Sequence, residues 1–187
     1  MAKDYGSLPI NYVRRRDRAV EDEEWIKSFL HQAPYCALAT AVDGQPFIHT
    51  NLFAYDEAAH AIYLHTAQVG RTRSNVEANP RVCFSISQMG RLLPADEALE
   101  FSVEYAGVTV FGTARIVQDM EEARHGLQLL LDKYAPHLRP GQHYRPIQDD
   151  EIRRTAVYRI DIEAWSGKRK VAPEDFPGAY LWPIADG

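Results

Sequence analysis

Cysteine is scarce: Cys36 and Cys83 are the only two in 187 residues. Each falls in an apolar run, and their spacing suits no metal. A disulfide-stapled secreted scaffold is therefore excluded, and the pair reads as buried free thiols in a reducing compartment. No apolar stretch nears the ~20 residues of a membrane span. The N-terminus carries no apolar secretion signal, so a cytoplasmic protein with no membrane partner is expected. Positive charge is not in surplus, with 21 Lys and Arg against 26 Asp and Glu, a net charge of −5. That disfavours nucleic acid as a partner. No Gly-x-Ser-x-Gly elbow, Gly-x-Gly-x-x-Gly turn or Walker loop occurs. Among seven histidines none forms His-Glu-x-x-His, so no metal site is expected. No internal repeat or low-complexity block is visible.

What is present is a globular chain, 45% apolar, of a size suited to one domain. Residues 1–20 read as an irregular arm with a basic cluster at Arg14, Arg15, Arg16 and Arg18. Trp25, Ile26, Phe29 and Leu30 share one face of a helix over 22–33, with acidic residues in its first turn. Residues 35–42 read as a strand. Asp43-Gly44 is a strong hairpin signal, because type I′ turns need positive φ. Its partner strand is expected over 45–55, and a strand over 62–67 completes a three-strand meander. A short surface helix over 71–79 stops at Asn79-Pro80, since the residue before proline leaves the α region. Val82, Phe84 and Ile86 alternate as a strand. Residues 88–100 read as a loop or flap, 101–117 as a long strand with bends at Gly107 and Gly112, and 119–134 as a helix. A loop spans 136–146, a last strand 155–165, and an extended tail follows that hangs free or lies on a partner subunit. Strands outnumber helices and hairpins dominate, so a mainly β antiparallel barrel with peripheral helices is expected.

Within this pattern Leu64-His65-Thr66-Ala67, Gly70-Arg71-Thr72 and the run from Asn79 to Phe84 carry a resemblance. Together they resemble the pyridoxamine 5'-phosphate oxidase-related flavoproteins, and within them the nitroimidazole-resistance branch. The resemblance spans roughly residues 12–168 and implies a split β-barrel. It also implies a homodimer with FMN in a cleft between subunits. The domain layout is then an arm over 1–20, the flavin-binding barrel over 21–168 and a tail over 169–187.

FMN sets the chemical demands: a guanidinium fork for its phosphate, and an apolar slot with donors for its ring. Arg71 and Thr72 are the phosphate candidates, with Thr66 as a hydroxyl donor and Ala67 beside it. Relatives usually have lysine where Thr72 stands, a lost positive charge that Arg73 is positioned in sequence to replace. By the resemblance, His49, Thr50, Asn51 and Leu52 lie along the ring. Ser102 and residues 105–108, Tyr105 foremost, line the same cleft, and Trp165 and Lys168 stand at a strand end and Gly-Lys turn near the cofactor. His65 is the candidate catalytic residue, an imidazole able to bond the flavin or shuttle a proton. For each the plain alternative is structural: a polar strand face, a solvated turn charge or a core aromatic.

The expected function is an FMN-dependent oxidoreductase. It would pass electrons from a small-molecule donor to a small acceptor such as a nitro-aromatic compound or dioxygen. The alternative is a flavin or haem carrier or sensor without turnover. Pyridoxamine 5'-phosphate oxidase activity itself is disfavoured, because that enzyme's C-terminal Arg-Leu-x-Pro segment is replaced here by Leu181-Trp182-Pro183-Ile184.

Overall fold

A computed structural model describes residues 4–183. The expected strands form one eight-stranded antiparallel sheet that curls around the larger of two hydrophobic clusters. This is the split β-barrel architecture. Strand β1 (Ala19–Val20) leads into helix α1 (Glu23–Gln32), whose N-cap Asp22 accepts from the amides of Glu24 and Trp25. The β2 (Cys36–Val42) and β3 (Gln45–Asn51) hairpin turns through Asp43 and Gly44, with φ of 51° and 77°. β4 (Ala54–Asp56) and β5 (Ala61–Ala67) follow, then α2 (Arg71–Ala78) and the long strands β6 (Arg81–Leu93) and β7 (Ser102–Ile116). α3 (Met120–Tyr134), α4 (Asp149–Arg153) and β8 (Thr155–Lys170) complete the chain. The sheet order is β3-β2-β6-β7-β8-β5-β4, with β1 added on β8. Phe53, Leu38, Leu64, Phe84, Val110 and Tyr158 fill the barrel, and α3 covers a second cluster around Tyr63 and Val157. Among the described residues no helix is long and apolar enough to cross a membrane.

The expected meander does not form. The chain leaves the ladder after Asn51, and β3 and β4 end at opposite ends of the sheet. The reason is local: the Leu52 amide donates to the Asn51 side chain at 2.8 Å, and the Phe53 amide donates to the Tyr134 hydroxyl at 3.2 Å. Side chains take the donors that a ladder would use, so the strand breaks.

The flap expected over 88–100 is strand in its first six residues. β6 continues to Leu93, absorbing Gly90 in a register shift between Met89 and Leu92. Arg91, a charge that suggests a loop, pairs across the ladder with Glu104 at 2.8 Å. The Gly167-Lys168 turn is also strand, since Gly167 pairs with Val108 and Lys168 with Gly107. Gly167 is required there because a Cβ would stand 2.9 Å from that of Val20. α4, unexpected from sequence, rests on a capping box between Gln148 and Glu151.

The tail from Val171 to Tyr180 lies on its own chain, and residues 184–187 fall outside the described residues. Arg91 donates to the carbonyls of Ala172, Pro173 and Glu174, while Glu104 accepts the Ala172 amide at 2.8 Å. Tyr180 then bridges to Leu92 in both directions. Arg91 holds the Glu104 carboxyl well down, at about 2 against its usual 4.5. A depressed carboxyl contributes stability that is complete above pH 4.5 and lost as pH falls towards 2. Arg91→Ala should therefore raise protease cleavage within 171–180 at neutral pH while leaving the barrel melting temperature nearly unchanged. Tail release in the wild type should begin only below pH 4.5, as read by hydrogen exchange of the Ala172 amide.

Candidate functional site

β3 is a terminal strand, so its edge away from β2 has no ladder partner among the described residues. Alternation splits the four candidates on and just beyond it between two faces. His49 and Asn51 are half-buried, whereas Thr50 and Leu52 are exposed. His49 Nδ1 lies 3.2 Å from Thr72 Oγ1, which joins β3 to α2. Asn51 Nδ2 donates to the His65 carbonyl at 2.7 Å, which joins β3 to the end of β5. The structure therefore brings together the open edge of β3, the last residues of β5 and the start of α2.

The start of α2 suits an anion. Gly70 is its N-cap and supplies no side-chain cap, so the positive end of the helix is uncovered. Arg71 is exposed and makes no hydrogen bond or ion pair among the described residues. It borders a hollow of about 420 Å³ with Val42, Gln45, Pro46, Phe47 and Asn75. Thr72 is 6% exposed and Asn75 5%, and Asn75 Nδ2 donates to Thr40 Oγ1 at 2.8 Å, which anchors the helix. Arg73 does not replace the missing lysine. Its guanidinium bonds Glu77 at 2.9 Å and the Gln68 carbonyl at 3.1 Å. Thr66 Oγ1 is also engaged, donating to the Ala67 carbonyl at 2.8 Å with Tyr158 Oη 3.0 Å away. Ala67 itself is exposed at the end of β5.

His65 Nδ1 is buried without a hydrogen-bond partner. Burial pushes the imidazole below its ordinary pKa, so it is neutral at pH 7. By strand alternation its side chain shares the face of Tyr63, on the side opposite Thr66.

The remaining candidates lie elsewhere on the chain. Tyr105 and Lys168 border a groove of about 490 Å³ that Arg71 does not share. Burial pushes the Tyr105 phenol up, but Arg18, donating at 3.3 Å, and Lys168 beside the ring outweigh it and hold it below its usual value. Ser102 pairs with Lys170. Trp165 packs edge-on against His60, with ring centroids 4.7 Å apart, and its carbonyl accepts from Asn11. It borders a third cavity, of about 610 Å³, with Tyr55, Glu57 and Lys27. Sequence reasoning missed Asn75 and Tyr134, whose roles arise from contacts distant in the chain. Cys36 and Cys83 are free thiols. Among the described residues no three His, Cys, Asp or Glu side chains gather as a metal site.

The family model described as pyridoxamine 5'-phosphate oxidase matches residues 22–169. The chain belongs to that family. Solved structures similar to this family member include a candidate 5-nitroimidazole antibiotic resistance protein from Bacteroides thetaiotaomicron. It is 22% identical, with 81% of this chain and 86% of that one covered and a TM-score of 0.68. A flavocytochrome from Azotobacter vinelandii is 23% identical, covers 94% and 86%, and scores 0.75. The FAD and haem binding protein from Mycobacterium smegmatis is 19% identical, covers 83% and 74%, and scores 0.72. At these identities the likeness establishes the fold. No curated protein sequence matches the chain.

The buried Nδ1 of half-buried His65 has a consequence for stability. Its lowered pKa means that the unfolded chain binds the extra proton first, so stability falls as pH drops through the ordinary histidine range near 6.5. His65→Gln should flatten that part of the profile. Urea unfolding of both proteins from pH 7.5 to 5.5 checks it, and equal slopes would remove His65 as a buried neutral group.

Proposed function

We propose that this family member is an FMN-dependent oxidoreductase that works as a homodimer. One observation carries the reading: three unsatisfied features lie on the two elements, α2 and β5, that the open strand β3 joins through His49 and Asn51. They are the unpaired Arg71, the uncapped start of α2 and the orphaned His65 Nδ1. Arg71 and the first amides of α2 would grip the phosphate, with the Thr72 hydroxyl beside them. Thr66 and Ala67 would flank it from the end of β5. His49, Thr50, Asn51 and Leu52 would line the ring along the open edge of β3. His65, neutral and short of a partner, would accept or donate one hydrogen bond at the ring edge. Bound FMN would supply hydride or electron transfer between a small-molecule donor and an acceptor such as a nitro-aromatic compound or dioxygen. The chain's share is to orient the flavin, tune it and limit water access.

Two facts support flavin. The family is that of pyridoxamine 5'-phosphate oxidase. Similar folds include a flavocytochrome and an FAD and haem binding protein. FMN is favoured over FAD because Arg71 and the α2 start form one compact anion site. Two further facts support a dimer. Tyr105 and Lys168 border a different concavity from Arg71, so a second subunit would be needed to bring the two walls face to face. Ile48 and Leu52 beside the open edge are 65% and 46% exposed, apolar surface that a partner copy would cover. Trp165 would stay behind the cleft as packing.

Arg71→Ala should weaken FMN binding about ten- to hundredfold, the loss of one charge-assisted hydrogen bond. The melting temperature should barely move, because Arg71 is exposed and makes no hydrogen bond or ion pair among the described residues. His65→Ala should retain FMN but shift its midpoint potential. Fluorescence titration of apo protein and potentiometry with NADPH-coupled turnover measure these. Turnover separates an oxidoreductase from a carrier, and sedimentation of a flavin-loaded monomer would refute the shared cleft.

A further inference from the structure

The groove that holds Tyr105 has a composition unlike the rest of this acidic chain. Register places Ser85, Thr109 and Ser166 side by side across β6, β7 and β8. The next row on the same face is Ser87, Gly107 and Lys168. Side chains in such rows point to one side of the sheet, so they form a shelf of hydroxyls ending in an ammonium. Gly107 keeps the shelf flat, since a Cβ there would stand 3.2 Å from the Ile86 carbonyl. The arm segment at Val13 and Arg14 forms the opposite wall.

Among the described residues no carboxylate borders the groove. The side chains of Ser85, Ser87, Thr109, Ser166 and Arg14 form no hydrogen bond or ion pair among the described residues, and Lys168 forms no ion pair. Arg18 adds positive charge behind Tyr105, shared with Asp17 at 3.7 Å. Cations with no counter-ion, beside a row of free hydroxyl donors, match an anion with several acceptor oxygens. The volume, about 490 Å³, is that of a small-molecule site.

We propose that this groove is an anion subsite for the reactant that exchanges electrons with the flavin, holding a phosphate or diphosphate group that the reactant carries. The assignment to a reactant rests on the proposed flavin function; the anion binding does not. Arg14 and Lys168 would supply the charge, Ser166 and Thr109 the directed donors, and the Tyr105 ring a face for the attached organic group.

Inorganic pyrophosphate is the direct probe, titrated calorimetrically into Arg71→Ala protein so that the α2 site does not contribute. One site per chain is expected, weakened at 1 M NaCl as charge is screened. Adding Arg14→Ala and Lys168→Gln should reduce its affinity by about ten- to hundredfold. Thr109→Val, nearly isosteric, should reduce it less, with an unchanged melting temperature confirming the fold. Reduced nicotinamide dinucleotide phosphate should compete with pyrophosphate. Absence of pyrophosphate binding in Arg71→Ala protein, or equal binding after the groove substitutions, would overturn the proposal. Competition by FMN would overturn it too, by showing that the groove holds the flavin's own phosphate. If FMN binds nowhere but pyrophosphate behaves as expected, the anion site stands and the flavin reading alone fails.

Discussion

The fold turns on a single hydroxyl. Tyr134, the last residue of α3, donates to the Pro34 carbonyl at 2.8 Å and accepts from the Phe53 amide at 3.2 Å. It thereby ties the end of α3 to the exit of α1 and to the break between β3 and β4. Without a partner at Phe53 a buried backbone donor would be left unsatisfied, at a cost of about 1–3 kcal/mol. With it, the strand can stop at Asn51 and the two halves of the barrel can part. The open edge of β3, and the site beside it, follow from that stop.

A charge sits in the same seam. Lys133 places its ammonium 3.5 Å from the centroid of the Phe53 ring and donates to the Leu30 carbonyl at 3.2 Å. Burial lowers its pKa to about 8 from 10.5. The ring face and the last turn of α1 are both electron-rich, so each offsets part of the desolvation. Cys36 lies beneath, its thiol pushed up to about 12 by burial and therefore inert as a nucleophile. The seam is thus polar in its bonds and apolar in its packing. That combination fixes where β3 ends without needing a turn sequence.

Local signals in the sequence translated well. The Asp43-Gly44 hairpin, the Asn79-Pro80 stop and the acidic first turn of α1 each depend on neighbours a few residues apart. The family assignment was legible for the same reason, since its signature lies within 64–84. Sheet order was not legible, because the pairing of β5 with β8 is a long-range choice that strand patterns leave degenerate. Charges misled where their partners were remote: Arg91 reads as loop until Glu104 is set across from it. Arg73 reads as a spare cation for another reason, since Gln68 and Glu77, which claim it, are near in sequence but give no signal of the pairing. At the candidate site the residue types were legible, but not their grouping. Trp165 and Arg71 both suit a flavin by type, and they border different cavities.

Irregular backbone has a common physical origin in this barrel. Between Phe111 and Gly112 the ladder with β8 shifts by one residue, leaving Glu163 unpaired. Gly112 is obligatory at the shift, since a Cβ would fall 2.1 Å from the Asp161 carbonyl. A bulge of this kind increases local twist. Long strands such as β7 and β8 must bend to close around a core, and a regular ladder of 15 or 16 residues would stay too flat. The β6 shift at Met89 serves the other end in the same way. Between the two shifts the strands run in strict register. That regular stretch aligns Ser85, Thr109 and Ser166 into one row, so curvature at both ends makes room for an ordered surface between them.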